Sequence, residues 1–154
     1  MKIVLDKTKG AIMPSRAHEF DGGLDLYSPK TITVPGCKFN AAPYFGGYGK
    51  VYIGQATIDT GVHVQIPEGY VGFIKSKSGL MVNSGLYADG TIDSGYSGSV
   101  RVVLINTKAN DYIFKAGDKI AQLVIQPCAL PQLEVVDALE ETERGENGFG
   151  STGR

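Results

Sequence analysis

The chain has 154 residues, 15 basic and 16 acidic, for a formal net charge of -1; glycine is frequent at 21, cysteine occurs twice and tryptophan not at all. That length suits one domain, burying about two-thirds of the surface its unfolded form exposes. The balanced charge excludes a global field that would draw the protein onto nucleic acid or an anionic membrane, so any anion binding must be local.

Cys37 and Cys128 are far apart and form no CxxC pair, which argues against a zinc site or a disulfide framework and leaves two free thiols in a reducing cytoplasm. The start, MKIVLDKTKGA, holds no long apolar segment, so neither a signal peptide nor a membrane span is expected there.

Apolar runs are short and mostly alternate. KIVL (2–5), LDLYS (24–28) and TITV (31–34) come first. CKFNAAPYFGGYGKVYIG (37–54) then reads as an insertion whose Gly, Tyr and Phe content suits a hairpin or loop excursion, and equally a contact for a protein partner; its end, KVYIG, has strand character. In GVHVQIP, Val62, Val64 and Ile66 alternate with His63 and Gln65, the period of a half-buried strand. YVGFI (70–74) follows, and the one helix expected is a turn or two within Leu80 to Leu86. SVRVVLIN (99–106), YIFK (112–115), KIAQLVI (119–125) and LEVV (133–136) complete the strands. The turn signals PEG, NSG, ADG, DSG and KAGD separate them, the spacing of an all-β sandwich, jelly roll or barrel. His18 and His63 read as surface residues, since nothing pairs them with a nucleophile. The chain closes on RGENGFGSTGR, which composition leaves open between a disordered terminus and a flap whose glycines, hydroxyls, Arg144 and Phe149 fold over a ligand.

Five glycine-punctuated segments hold the candidate chemistry: FDGGLDLYS, IKSKSGL, ADGTIDSGYSGS, AGDKIAQL and RGENGFGSTG. Read alone, each has an ordinary explanation. Asp25 after a double glycine is a turn residue, Lys75 to Leu80 is a solvated basic turn, Gly90 and Gly95 frame a tight hairpin with Asp93 and Tyr96 on it, and Ile120, Leu123 and Ile125 belong to a core strand.

Together and in this order the five segments resemble the motifs of the trimeric dUTPases, over residues from about Arg16 to Gly153. The resemblance implies an all-β, jelly-roll-like distorted barrel with a short helix and a flexible C-terminal arm, divided as a β domain over 1–143 and a mobile motif arm over 144–154. It implies hydrolysis of dUTP to dUMP and pyrophosphate, which keeps uracil out of DNA and supplies dUMP for dTMP synthesis, in the cytoplasm of a bacterium or, for a phage-encoded enzyme, of its host. It also implies a homotrimer with shared active sites, the tail of one chain reaching a site built by two others.

By the same resemblance Asp25 holds a hydrated Mg2+, through water, and hard oxygen ligation is what that ion prefers. Lys77, Ser78 and Gly79 cradle phosphates. Relatives usually carry arginine where Lys77 stands, so the charge is kept and the bidentate fork lost. The backbone of Gly90, Thr91, Ile92 and Asp93 reads the uracil edge, Tyr96 packs on the deoxyribose and excludes a 2′-hydroxyl, and Asp93 orients and deprotonates the attacking water. Arg101 matches a further nucleotide contact and Gln122 an α-phosphate or sugar contact. Arg144 meets the γ-phosphate, Phe149 stacks on uracil, and Gly150, Ser151 and Thr152 wrap the phosphates as the tail closes. Many relatives carry asparagine six residues before the catalytic aspartate, where this chain has Tyr87. Two other readings stand beside this one: a regulatory protein of the same fold that binds a protein partner through 37–54, and a dCTP deaminase relative. The second requires a glutamate on the strand after the hairpin, and SVRVVLIN has no acid.

Overall fold

A computed structural model describes residues 1–40 and 50–146 of the chain. Strands β1 (Lys2–Leu5), β2 (Gly23–Tyr27), β6 (Gly54–Gln65), β7 (Tyr70–Lys75), β8 (Leu86–Ile92), β9 (Ser99–Asn106) and β11 (Lys119–Pro127) form one curled antiparallel sheet in the order β1-β6-β9-β8-β7-β11-β2. Two ribbons complete the β structure: β3 (Ile32–Val34) with β10 (Tyr112–Phe114), which packs on β6 and β9, and β4 (Lys38–Asn40) with β5 (Lys50–Tyr52). The all-β expectation holds, and within the 37–54 segment β4 and β5 pair as a hairpin base; residues 41–49 lie outside the described residues.

The alternation read from sequence is the alternation of burial. Leu26, Ile58, Ile74, Leu104, Phe114, Ile120 and Leu123 are essentially inaccessible, each contributing roughly 2 kcal/mol by removal from water. Asn106 is one of the buried polar residues, at the foot of β9. Its amide donates to the carbonyls of Val34 (3.3 Å) and Asn110 (2.9 Å) and its oxygen accepts from the Lys108 N–H (2.9 Å), so the buried group is satisfied.

The structure corrects the expected secondary-structure elements in four places. The helix α1 spans Ser78–Ser84, two residues ahead of the expected window, because Lys77 is still extended and Gly85 takes the left-handed cap. ADG is not a turn: Leu86, Ala88 and Ile92 are buried and alternate with exposed Tyr87, Asp89 and Thr91, a strand that chain reversal at Asp93 then ends. VHVQI is only the last part of β6, a strand of 12 residues whose register with β9 shifts between Asp59 and His63. LEVV forms no strand, with Leu133 and Val135 almost wholly exposed; an extended segment becomes a strand only where a neighbour takes its backbone hydrogen bonds, and among the described residues the segment pairs with none.

Candidate active site

Asp25 is no turn residue. It sits on β2, is 1% exposed, and pairs in register with Gln122 on β11. Lys77 Nζ lies 2.5 Å from one carboxylate oxygen and Lys119 Nζ 2.7 Å from the other, while Gln122 Nε2 donates to Oδ1 at 3.3 Å. Burial alone pushes the carboxyl up, but the ammonium groups of Lys119 and Lys77 held against it outweigh that and keep Asp25 below its ordinary value. The same carboxylate holds the Lys119 ammonium above its ordinary value.

Three of the five segments therefore converge. The β7–α1 junction supplies Lys77, Ser78 and Gly79, and β11 supplies Lys119 and Gln122, around a cleft of about 530 Å3 whose far wall includes Tyr112. Ser78 and Gly79 are exposed there in the first turn of α1. The volume falls in the range of roughly 300–1,000 Å3 usual for ligand clefts.

The hairpin segment lies elsewhere. β7 pairs with β8 from Gly72↔Ile92 to Lys75↔Asp89, so Asp93 falls one residue past Ile92 at one end of the ladder and Lys77 two past Lys75 at the other. Six residues of strand separate them, about 20 Å at roughly 3.3 Å each. On a single chain the catalytic candidate and the lysine cluster are not brought together.

The hairpin is also split. β8 and β9 are in register only over Leu86↔Asn106, Tyr87↔Ile105 and Ala88↔Leu104; beyond that β8 stays with β7 while β9 stays with β6. The β9-facing backbone edge of Gly90, Thr91 and Ile92 thus lies outside that ladder, where N–H and C=O groups can read a planar polar edge. Asp93 is exposed at the mouth of this gap and its carbonyl accepts from Tyr96 N–H at 3.0 Å. The Tyr96 hydroxyl donates to the Ser99 carbonyl at 3.0 Å, and the ring folds so closely over Gly98 that a Cβ there would stand 2.3 Å from its oxygen. A glycine is what lets the ring lie flat on the hairpin.

His63, read from sequence as a surface residue, is half-buried and its Nδ1 donates to the Ser97 carbonyl at 2.9 Å, bracing the loop that carries Tyr96. Lys119 was also missed. The signal was the lysine between Gly117-Asp118 and the core run, indistinguishable by pattern from a solvated strand end. Arg101 is exposed on β9 opposite Asp59 and joins neither cluster on this chain. Tyr87 is exposed, facing a shallow cleft with Met81 and Ile105. Arg144 sits in a turn closed by Gly145 N–H on the Thr142 carbonyl at 3.0 Å, whereas Phe149, Gly150, Ser151 and Thr152 lie outside the described residues.

Among the described residues no three His, Cys, Asp or Glu side chains gather as a metal cluster. Asp25 still fits a hydrated Mg2+ arriving with phosphate, because its buried Oδ2 has no hydrogen bond of good geometry and only the Lys119 ion pair beside it. Among the same residues no helix is long and apolar enough to cross a membrane.

A curled β domain with a lysine-lined cleft at one end and a split, carboxylate-bearing hairpin at the other is an arrangement suited to an anionic, phosphate-bearing ligand. The dUTPase family model matches residues 50–153. A deoxyuridine 5'-triphosphate nucleotidohydrolase of Clostridium novyi is 39% identical over 99% of both chains, and one of Anaplasma marginale 40% identical over 94% of this chain and 90% of the other. Among solved structures, a mutant dUTPase of Staphylococcus bacteriophage 80alpha with dUpNHpp aligns with a TM-score of 0.81 at 31% identity, covering 99% of this chain and 98% of that one. A mutant dUTPase of phage phi11 of S. aureus, described with a structural Mg(II) ion, gives 0.73 at 29% identity, covering 91% and 98%. The chain belongs to the dUTPase family.

Proposed function

We propose that the chain hydrolyses dUTP to dUMP and pyrophosphate at sites each composed of a lysine cradle from one copy and a split hairpin from another, within a homotrimer. Membership in the family makes it a dUTP diphosphatase; the assignment of roles to residues is our reading. The observation that carries it is the separation of about 20 Å between Lys77 and Asp93 along one ladder, which leaves each half-site chemically incomplete until another chain completes it.

In the assembled site the open edge of Gly90, Thr91 and Ile92 hydrogen-bonds the uracil, and the Tyr96 ring, held flat by Gly98, covers the deoxyribose. Lys77, Ser78, Gly79 and Gln122 take the phosphates. Asp93 accepts a hydrogen bond from a water, which attacks the α-phosphorus; the new P–O bond forms as the bond to the bridging oxygen breaks, pyrophosphate leaves, and Asp93 holds the released proton. Asp25 would hold Mg2+ through water, and that ion supplies neutralisation of the phosphate charge. Arg144 and the tail residues Phe149 to Thr152 act as the closing flap, and Arg101 is a further nucleotide contact.

Replacing Asp93 with Asn tests the reading. Turnover of dUTP should fall by about a thousandfold, within the usual range for losing a general base, while dUpNHpp binding stays within about twofold. Undiminished turnover would remove Asp93 from the mechanism.

A second reading concerns the insertion. Val51, Tyr52 and Ile53 at its base are all more than half exposed, which suits an added protein contact beside the hydrolase site. Removing 37–54 should then abolish binding of such a protein partner and leave dUTP turnover intact.

A further inference from the structure

Lys119 has no role in the reading of the site given above, yet it is the residue the structure adds to it. It rises from the first position of β11, lines the same cleft as Lys77, Ser78 and Gln122, and reaches the Asp25 oxygen that Lys77 leaves alone. Two ammonium groups thus straddle one buried carboxylate, and the width of a carboxylate places their nitrogens at most about 7 Å apart. A lysine is a compact point charge with three donors and cannot grip two oxygens in one plane as a guanidinium does. Two lysines anchored to a common carboxylate can.

We infer that Lys119 is a second phosphate-binding residue, and that Lys77 and Lys119, spaced by Asp25, act as a divided fork for the triphosphate in place of a single arginine. Asp25 has a positioning role in this: it holds both side chains, each still partly exposed at 24% and 40%, over the cleft before substrate arrives. One carboxylate between two ammonium groups leaves a net positive charge, which an anionic phosphate chain can take up with both cations already in place. Gln122 adds a neutral donor to the same oxygen as Lys77, which fixes the carboxylate plane.

This rests on the dUTP reading, so the test separates the two. Binding of dUpNHpp and of dUMP to the full-length protein is measured by calorimetry in EDTA, and kcat and KM for dUTP are measured with Mg2+, for the unsubstituted chain and for Lys119→Met and Lys119→Arg. The divided fork predicts that Lys119→Met weakens dUpNHpp binding about tenfold or more, weakens dUMP binding by clearly less, flattens the salt dependence of dUpNHpp binding, and raises KM more than it lowers kcat; Lys119→Arg restores most of each. Equal loss for both ligands, or none for either, would overturn the inference while leaving hydrolysis in place. Failure of the unsubstituted chain to bind dUpNHpp would overturn the underlying reading together with it.

Discussion

If each site draws its hairpin and its cradle from different chains, two inactive variants should repair one another. The perturbations are Asp93→Asn, which disables the hairpin alone, and the pair Lys77→Ala with Ser78→Ala, which disables the cradle alone. The register Gly72↔Ile92 to Lys75↔Asp89 puts the two lesions about 20 Å apart on a chain, so neither distorts the other's half-site. In an equal, freely exchanged mixture each site receives an intact hairpin half the time and an intact cradle half the time. About one quarter of the sites are then whole, and turnover should recover to about a quarter of that of the unsubstituted protein, from a background near zero for either variant alone. The assay is continuous pyrophosphate release after co-refolding or co-expression with two purification tags. A mixture no more active than its components would show that hairpin and cradle of the same chain work together, and the shared-site account would fall.

Two further perturbations test how the scaffold holds the site. Asp59, at the β6 irregularity, accepts from Lys9 Nζ at 2.9 Å and from the Ser99 hydroxyl; the bonds from Lys9 and Ser99 hold its carboxyl well below the usual carboxylate range. A depressed folded value means stability that is fully present above the unfolded pKa of about 3.9 and is lost as pH falls through the folded one. Asp59→Asn should therefore cost about 1 kcal/mol at pH 7, discounted for partial exposure, and the difference in chemical denaturation midpoint should shrink only below about pH 4; a difference that vanished by pH 5 would contradict it. Gly54→Ala should destabilise by about 3 kcal/mol, since a Cβ at residue 54 would stand 1.8 Å from the carbonyl oxygen of Pro35. A melting temperature unchanged from the parent chain would show that the backbone there is not close-packed.

The parts of the molecule legible in sequence are those that local pattern determines. KIVL, YVGFI and SVRVVLIN alternate because one face is buried and one is not, and they became β1, β7 and β9. ADG misled because Asp and Gly favour turns in isolation, while in the fold Asp89 is fixed by Lys75 across the ladder and Gly90 lies opposite Ile74. LEVV misled because strand propensity is a property of a partnered segment. In the site, the motifs named the right residue types, and Asp25, Lys77 and Gln122 do meet. What a linear reading could not supply was distance: that Asp93 lies at the opposite end of the ladder, that Lys119 shares Asp25 with Lys77, that Gly98 lets Tyr96 lie flat, and that His63 braces the hairpin. Each of these depends on strand register between segments far apart in the chain, which no local pattern encodes.

The most direct test of the account is pyrophosphate release from dUTP measured beside dTTP, dCTP and UTP. A hairpin edge that reads uracil and a tyrosine that leaves no room for a 2′-hydroxyl predict kcat/KM for dUTP at least about a hundredfold above each of the other three, whereas comparable rates for dUTP and UTP, or for dUTP and dCTP, would contradict the roles given to Tyr96 and to the open edge of β8.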